Sequence, residues 1–116
     1  MAKAADTTQA YEGLKVALGQ LGFARPGSLA RRFVRCGKPG CRCMADPPTL
    51  HGPYYDWTYK VQGKSVAMRL TEEQAQRCAI WLRNHRRLRR LVHKMETLSL
   101  KETNRILHAI AEHRGE

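Results

Sequence analysis

The residues best equipped for chemistry in this sequence are three cysteines and a histidine: Cys36, Cys41, Cys43 and His51, spaced C-x4-C-x-C-x7-H. Thiolates and imidazole are the donors that zinc selects, and three Cys with one His make a closed tetrahedral set. Core packing does not account for three cysteines within eight residues. Gly37, Pro39 and Gly40 let the backbone curl around an ion, and Arg35, Lys38 and Arg42 favour the thiolate form of their neighbours. Zinc, bound structurally, is therefore the expected cofactor. The fourth ligand is open at this point. His51 is preferred. Cys78 falls on an apolar helix face, where a small buried cysteine is the simpler reading, and Asp46 is an outside alternative. No general base is set beside the loop to activate a water. The remaining histidines His85, His93, His108 and His113 are scattered along helical segments and read as surface or satisfied residues. The sequence has no Ser/His/Asp set, nucleotide-binding Gly loop or carboxylate pair, so no catalytic residue is assigned and no enzyme is expected.

Charge points to the partner. The 116 residues include 21 Lys and Arg against 10 Asp and Glu, a formal net charge of +11. Such a field attracts polyanions. Arginine outnumbers lysine, and its planar fork matches phosphate and guanine edges. Two clusters stand out. One surrounds the cysteine loop: Arg25, Arg31, Arg32, Arg35, Lys38 and Arg42. The other lies further on, where Arg83, Arg86, Arg87, Arg90 and Lys94 share one helical face opposite a Leu88–Val92–Met95 stripe. Lys60, Lys64 and Arg69 would project from a hairpin between them. A hydrophobic fraction of 42% suffices for a folded domain. The first residues contain no apolar run of the signal-peptide kind, and no stretch approaches a membrane span. A cytoplasmic protein is expected, nucleoid-associated if it binds DNA, without membrane contact.

These residues need elements to hold them. Tyr11, Leu14, Leu18 and Leu21 recur at helical spacing, which predicts a first helix over 7–22, with Thr7 or Thr8 as cap and Gly22 as stop. SLARRFVR (28–35) has a mixed period and reads as a short strand, with a helical turn as the alternative. The cysteine loop follows and continues through Pro47-Pro48 to Pro53 without regular structure. YYDWTYKV and SVAMRL, separated by Gln62-Gly63-Lys64, predict a β-hairpin over 54–70. Tyr55, Trp57, Tyr59 and Val61 share one face of it, Tyr54, Asp56, Thr58 and Lys60 the other, and one face is expected to be core. Thr71 followed by Gln74 predicts a capping box. Leu82, Leu88, Val92, Met95 and Leu98 predict a long helix over 71–98, with a restart at Ser99; a single continuous helix is the alternative.

The fold class expected is α+β in one domain of 1–116. It comprises an N-terminal helix (7–22), a zinc loop with a small antiparallel sheet (27–70), and a helical region (71–113). The stretch GSLARRFVRCGKPGCRC…HGPYYDWTYKVQGKSVAMRL, with the basic run from Trp81 to Leu88, resembles a family of short bacterial proteins of unknown function. That resemblance covers residues 27 to 98 and implies a bacterial, phage- or mobile-element-linked origin, but no activity. The hairpin-then-helix order is similar, at fold level only, to the arm-type DNA-binding domains of tyrosine recombinases.

The function expected is nucleic-acid binding, with double-stranded DNA favoured over RNA, as an accessory or regulatory factor. Phosphates would be held by Arg31, Arg32, Arg35, Lys38 and Arg42, assisted by the helical ridge. The alternatives are an RNA or single-strand binder whose Tyr and Trp side chains stack on bases, or an adaptor that dimerises or docks a partner protein through the long helix.

Overall fold

From His51 to Leu70, aromatic and β-branched side chains alternate with small or polar ones, a pattern suited to a pleated surface with one dry face. In the computed structural model, which describes residues 2–114 and the side chains of residues 6–113, this stretch forms β2 (His51–Val61) and β3 (Lys64–Leu70). The two turn residues, Gln62 and Gly63, have φ of 50° and 82°, a geometry whose twist matches that of the flanking strands. β1 (Ser28–Val34) pairs antiparallel with the other edge of β2, giving the order β1-β2-β3.

Two helices complete the chain, α1 (Ala2–Gly19) and α2 (Glu72–Arg114). The fold class is thus α+β, with a three-stranded antiparallel sheet and a long C-terminal helix. No helix among the described residues is long and apolar enough to cross a membrane. The residues group into two compact units: residues 24–83 hold the sheet, the cysteine loop and the first turns of α2, and α1 groups with the chain from Asn84 onward.

The sheet unit is built on Trp57. Register places Leu29, Trp57 and Met68 opposite one another, with Tyr59 and Val66 beside them on the same face. That face meets α2: Trp57, Cys78 and Leu82 are buried together, with Leu29, Tyr59, Leu70 and Trp81 packed around them. The Trp57 indole N–H donates to the Pro26 carbonyl at 3.1 Å, which satisfies its one polar atom. Tyr59 stacks on it at 4.0 Å between ring centroids. The start of α2 is capped as its sequence requires. The Gln74 N–H donates to Thr71 Oγ1 at 3.1 Å, and the Thr71 N–H donates to Gln74 Oε1 at 2.9 Å.

In the helical unit, α1 runs antiparallel to the later part of α2. Thr7 and Tyr11 share a groove with Leu98, Ser99 and Thr103, whereas Leu18 borders Val92 and Met95. Leu91 and Thr7 are the buried side chains described in this unit.

Three local expectations are corrected. The first helix spans Ala2–Gly19 rather than 7–22: the alanine-rich start has high helix propensity, so Thr7 lies inside the helix and is buried instead of capping it. The second helix does not restart at Ser99. No Gly or Pro occurs between Glu72 and Arg114, and the Ser99 carbonyl accepts the Thr103 hydroxyl at 2.7 Å within a continuous helix. Within the cysteine loop, Arg42–Met44 form a single 3₁₀ turn, and β2 begins at His51 rather than Tyr54.

Candidate metal centre and its cationic surroundings

Strand pairing explains why distant cysteines and a histidine meet. β1 leads into the cysteine loop and β2 leads out of it, and the last paired residues are Val34 and His51. Cys36 and His51 therefore leave the sheet at the same end. A register shift between Arg32 and Val34 sets the direction. Tyr54 pairs with Arg32 and His51 with Val34, so Gly52 and Pro53 bulge opposite Phe33. Proline has no N–H to leave unpaired at such a bulge. Gly52 has a φ of 135°, and a Cβ there would lie 2.7 Å from the Arg32 carbonyl oxygen. Only glycine lets the two strands approach so closely before the chain turns His51 toward the loop.

The loop then presents its thiols inward. A turn over Lys38-Pro39-Gly40-Cys41 is closed by the Cys41 N–H on the Lys38 carbonyl at 3.2 Å. The 3₁₀ turn follows, with the Met44 N–H donating to the Cys41 carbonyl at 2.9 Å, and the Thr49 N–H returns to the Arg42 carbonyl at 3.0 Å. Cys43 becomes fully buried, Cys41 and His51 are half-buried, and Cys36 stays exposed.

The donor atoms of Cys36, Cys41, Cys43 and His51 all lie within 4.8 Å of one another. Cys36 Sγ and Cys43 Sγ are 3.5 Å apart, and Cys41 Sγ and His51 Nε2 3.2 Å. A tetrahedral ion with metal–sulfur bonds of about 2.3 Å holds its donors roughly 3.8 Å apart. The set is geometrically able to hold a metal ion. The Cys36 N–H also donates to Cys43 Sγ at 3.4 Å, the kind of outer support that orients a thiolate ligand.

The thiols differ in acidity. The backbone N–H of Cys43, followed by hydrogen bonds from the Cys43, Cys36 and His51 side chains, lowers Cys41 to about 6. At Cys36 a backbone hydrogen bond from Lys38 works downward, but the Cys43 hydrogen bond, desolvation and the charge of Cys41 together raise its pKa. Cys41 thus ionises before Cys36.

The alternative ligands fall away. Cys78 is buried in the Trp57–Leu82 core, where desolvation raises its pKa, and Asp46 is exposed and outside the donor group. The other histidines do not join such a group among the described residues.

The predicted cationic residues fall in several places. Arg32, Lys60 and Arg69 stand on the sheet face opposite the core, around Tyr54, Asp56 and Thr58. Arg32 and Arg69 both reach Asp56, at 3.5 and 3.3 Å, and the Arg69 guanidinium lies 4.3 Å over the Tyr54 ring. Arg31 is on the other face, 5.0 Å over Phe33, and Lys64, opposite Val61, starts β3 on that face too. Arg35, Lys38 and Arg42 ring the cysteine loop, exposed and without a carboxylate partner among the described residues. Arg83 closes the sheet unit, while Arg86, Arg87, Arg90 and Lys94 belong to the helical unit, all exposed. Sequence reasoning passed over Arg77 altogether and gave Arg25 no binding role. Their spacing from Trp57, Cys78 and Trp81 carries a signal only once the sheet is laid on the helix.

A family model described as a domain of unknown function, DUF6788, matches residues 6–77. The chain belongs to that family. The match takes in α1 from Asp6 onward, the cysteine loop and the whole sheet, and ends in the second turn of α2, before the basic run that begins at Arg83. None of the curated proteins or solved structures compared with the chain matches it.

Proposed function

We propose that this member of an uncharacterised family is a double-stranded-DNA-binding protein whose cysteine loop is stapled by a structural zinc ion. One observation carries the reading: an open sheet face and an adjoining cysteine loop that between them expose Arg32, Lys60, Arg69, Arg35, Lys38 and Arg42, against two acidic residues, Asp56 on the face and Asp46 in the loop. The sheet unit as a whole carries eleven Lys and Arg against four Asp and Glu. Three-stranded sheets and β-ribbons can lie in the major groove with their outer residues on base edges. Small residues at Ala30, Thr58 and Ala67 leave the open face low enough for such an approach.

Zinc is the ion that three thiolates and an imidazole prefer. Its role is to hold Arg35, Lys38 and Arg42 at fixed spacing at the end of the sheet, because a loop with so little regular structure has few other means of staying ordered. An accessory or regulatory role on bacterial or mobile-element DNA follows from that reading.

The test is binding of metal-quantified protein to duplex DNA, single-stranded DNA and RNA across a salt series. Tight, steeply salt-dependent duplex binding is the expected result. Preference for single-stranded RNA would replace DNA by RNA as the partner, and absence of binding to all three would overturn the proposal.

A second association is favoured by the helical unit. Leu100, Ile106, Leu107 and Ile110 are 64, 42, 62 and 49% exposed, and they extend the flank of α2 that carries Val92. The cationic ridge of Arg86, Arg90 and Lys94 lies round the helix from them. The flank from Val92 to Ile110 is about 28 Å long at 1.5 Å per residue. A largely apolar flank of this length, interrupted by Glu96 between Val92 and Leu100 and segregated from the ridge, fits a second copy of this chain, giving two sheet units per DNA site.

A further inference from the structure

Between the core face of the sheet and the first turns of α2 lies a cleft of ≈ 260 Å³, lined by Arg25, Trp57, Tyr59, Trp81, Gln74 and Arg77 among others. Its residues all belong to the sheet unit, and it is separate from the cysteine loop and from the open sheet face. We propose that this cleft holds one unpaired nucleotide, a nucleobase together with its 5′-phosphate. The proposal deepens the DNA-binding reading and rests on it.

Three features select this ligand. The walls are aromatic: Tyr59 and Trp81 are half-buried around the buried Trp57, with Leu70 and the exposed Met68 completing an apolar floor. Aromatic walls of this kind accept any base by stacking. The rim is cationic: Arg25 and Arg77 are exposed, and neither has a carboxylate partner among the described residues. Arg25 is not a floppy surface charge. Its guanidinium is held 4.2 Å over the Trp57 ring and 5.4 Å from that of Tyr59, and the Arg25 backbone N–H donates to the Trp81 carbonyl at 3.1 Å, which fixes the main chain beneath it. No acidic side chain lines the cleft, so a phosphate meets only positive charge. The volume is the third feature. It lies just below the usual range for small-molecule pockets, roughly 300–1,000 Å³, and suits one ring system rather than an extended ligand. Gln74 adds direction: its Oε1 is used by the Thr71 N–H, which leaves its NH₂ to donate to a base carbonyl.

In the bound state the base stacks against Trp81 and Tyr59 while Arg77 and Arg25 take the phosphate. Such a site would recognise a strand end, a flipped base or a displaced strand next to the duplex that the open sheet face holds.

The two tryptophans of the chain, Trp57 and Trp81, both line the cleft, so intrinsic fluorescence reports on its occupancy. The experiment compares a blunt DNA duplex, the same duplex with a short single-stranded overhang, the overhang duplex with abasic sites in place of bases, and free dTMP. Tryptophan fluorescence and affinity are read with the wild-type protein and with Arg77→Gln and Trp81→Leu. The expected result is quenching by dTMP and by the overhang, with the overhang duplex bound about tenfold more tightly than the blunt one. Arg77→Gln and Trp81→Leu should abolish that preference and leave blunt-duplex affinity unchanged. Because Arg77 is exposed and unpaired, its variant folds even if Trp81→Leu does not. Equal affinity for blunt, overhang and abasic duplexes, without quenching, overturns the cleft and leaves the duplex reading standing. Quenching by dTMP that Arg77→Gln abolishes, without duplex binding, supports the cleft and overturns the duplex reading. No response to any of the four probes overturns both.

Discussion

Replacing Arg35, Lys38 and Arg42 together with glutamine should change how duplex binding depends on salt. All three side chains are exposed, and none is neutralised by a carboxylate among the described residues, so each charge is fully available to a phosphate. Each phosphate contact contributes a slope of about 0.9 to the dependence of log K on log salt. Losing three should make the slope shallower by about 2.7. With the non-electrostatic part unchanged, affinity then falls on the order of 500-fold at ~0.1 M salt and roughly 80-fold at ~0.2 M. Arg32 provides the internal contrast. It shares Asp56 with Arg69, so Arg32→Gln alone should cost less than any one of the loop charges. Fluorescence anisotropy of a labelled duplex across a salt series measures the slopes, and metal content checks that the loop is intact. A triple variant with full metal and an unchanged slope would refute the phosphate assignment, whatever its absolute affinity.

Other outcomes follow from the same geometry. His51→Ala or Cys41→Ser should lower bound zinc well below one equivalent per chain by elemental analysis, whereas Cys78→Ser, altering a core thiol, should leave it unchanged. Asp56→Asn removes the carboxylate that engages both Arg32 and Arg69 and should tighten duplex binding several-fold at low salt, with a steeper slope. Trp57→Ala, at a residue 4% exposed whose indole also bonds Pro26, should cost about 3–5 kcal/mol in urea unfolding of the sheet unit. In metal-stripped protein at neutral pH, Cys41, lowered to about 6, should be alkylated faster than Cys36 or Cys78, both raised. That advantage should fade as the pH falls through 6 and Cys41 takes up its proton; mass spectrometry of the labelled peptides reads it. Sedimentation should show a dimer that Leu107→Glu, at a residue 62% exposed, dissociates.

Local patterns carried much of the fold. The hairpin was legible because alternation and a two-residue turn are short-range signals, and Thr71 with Gln74 announced the start of α2 because a capping box lies within four residues. The end of α2 was harder. Ser99 and Glu102 imitate a second cap, but the flanking residues are good helix formers and nothing breaks the backbone, so the helix continues. The start of α1 was misread for the opposite reason: Thr7 has the chemistry of a cap, yet helical residues precede it and it is buried.

The candidate metal set could be named from the sequence because ligand chemistry resides in residue type: three thiols close together in a Gly- and Pro-containing loop have few other uses. The choice of fourth ligand could not. It depends on the pairing of Val34 with His51 and on the bulge at Gly52-Pro53, which bring His51 back to the loop while Cys78 is drawn into the core. Charge too was a matter of composition, but its distribution was not. Strand register put Arg32 and Arg69 on one side of the sheet and Arg31 on the other, and packing of that sheet on α2 enclosed Trp57, Arg25, Trp81 and Arg77 around one cleft. Sequence by itself determined which side chains this protein has that could hold a metal ion or a phosphate; tertiary structure decided which of them lie together, because β pairing and sheet-to-helix packing join residues whose separation along the chain exceeds the reach of any local pattern.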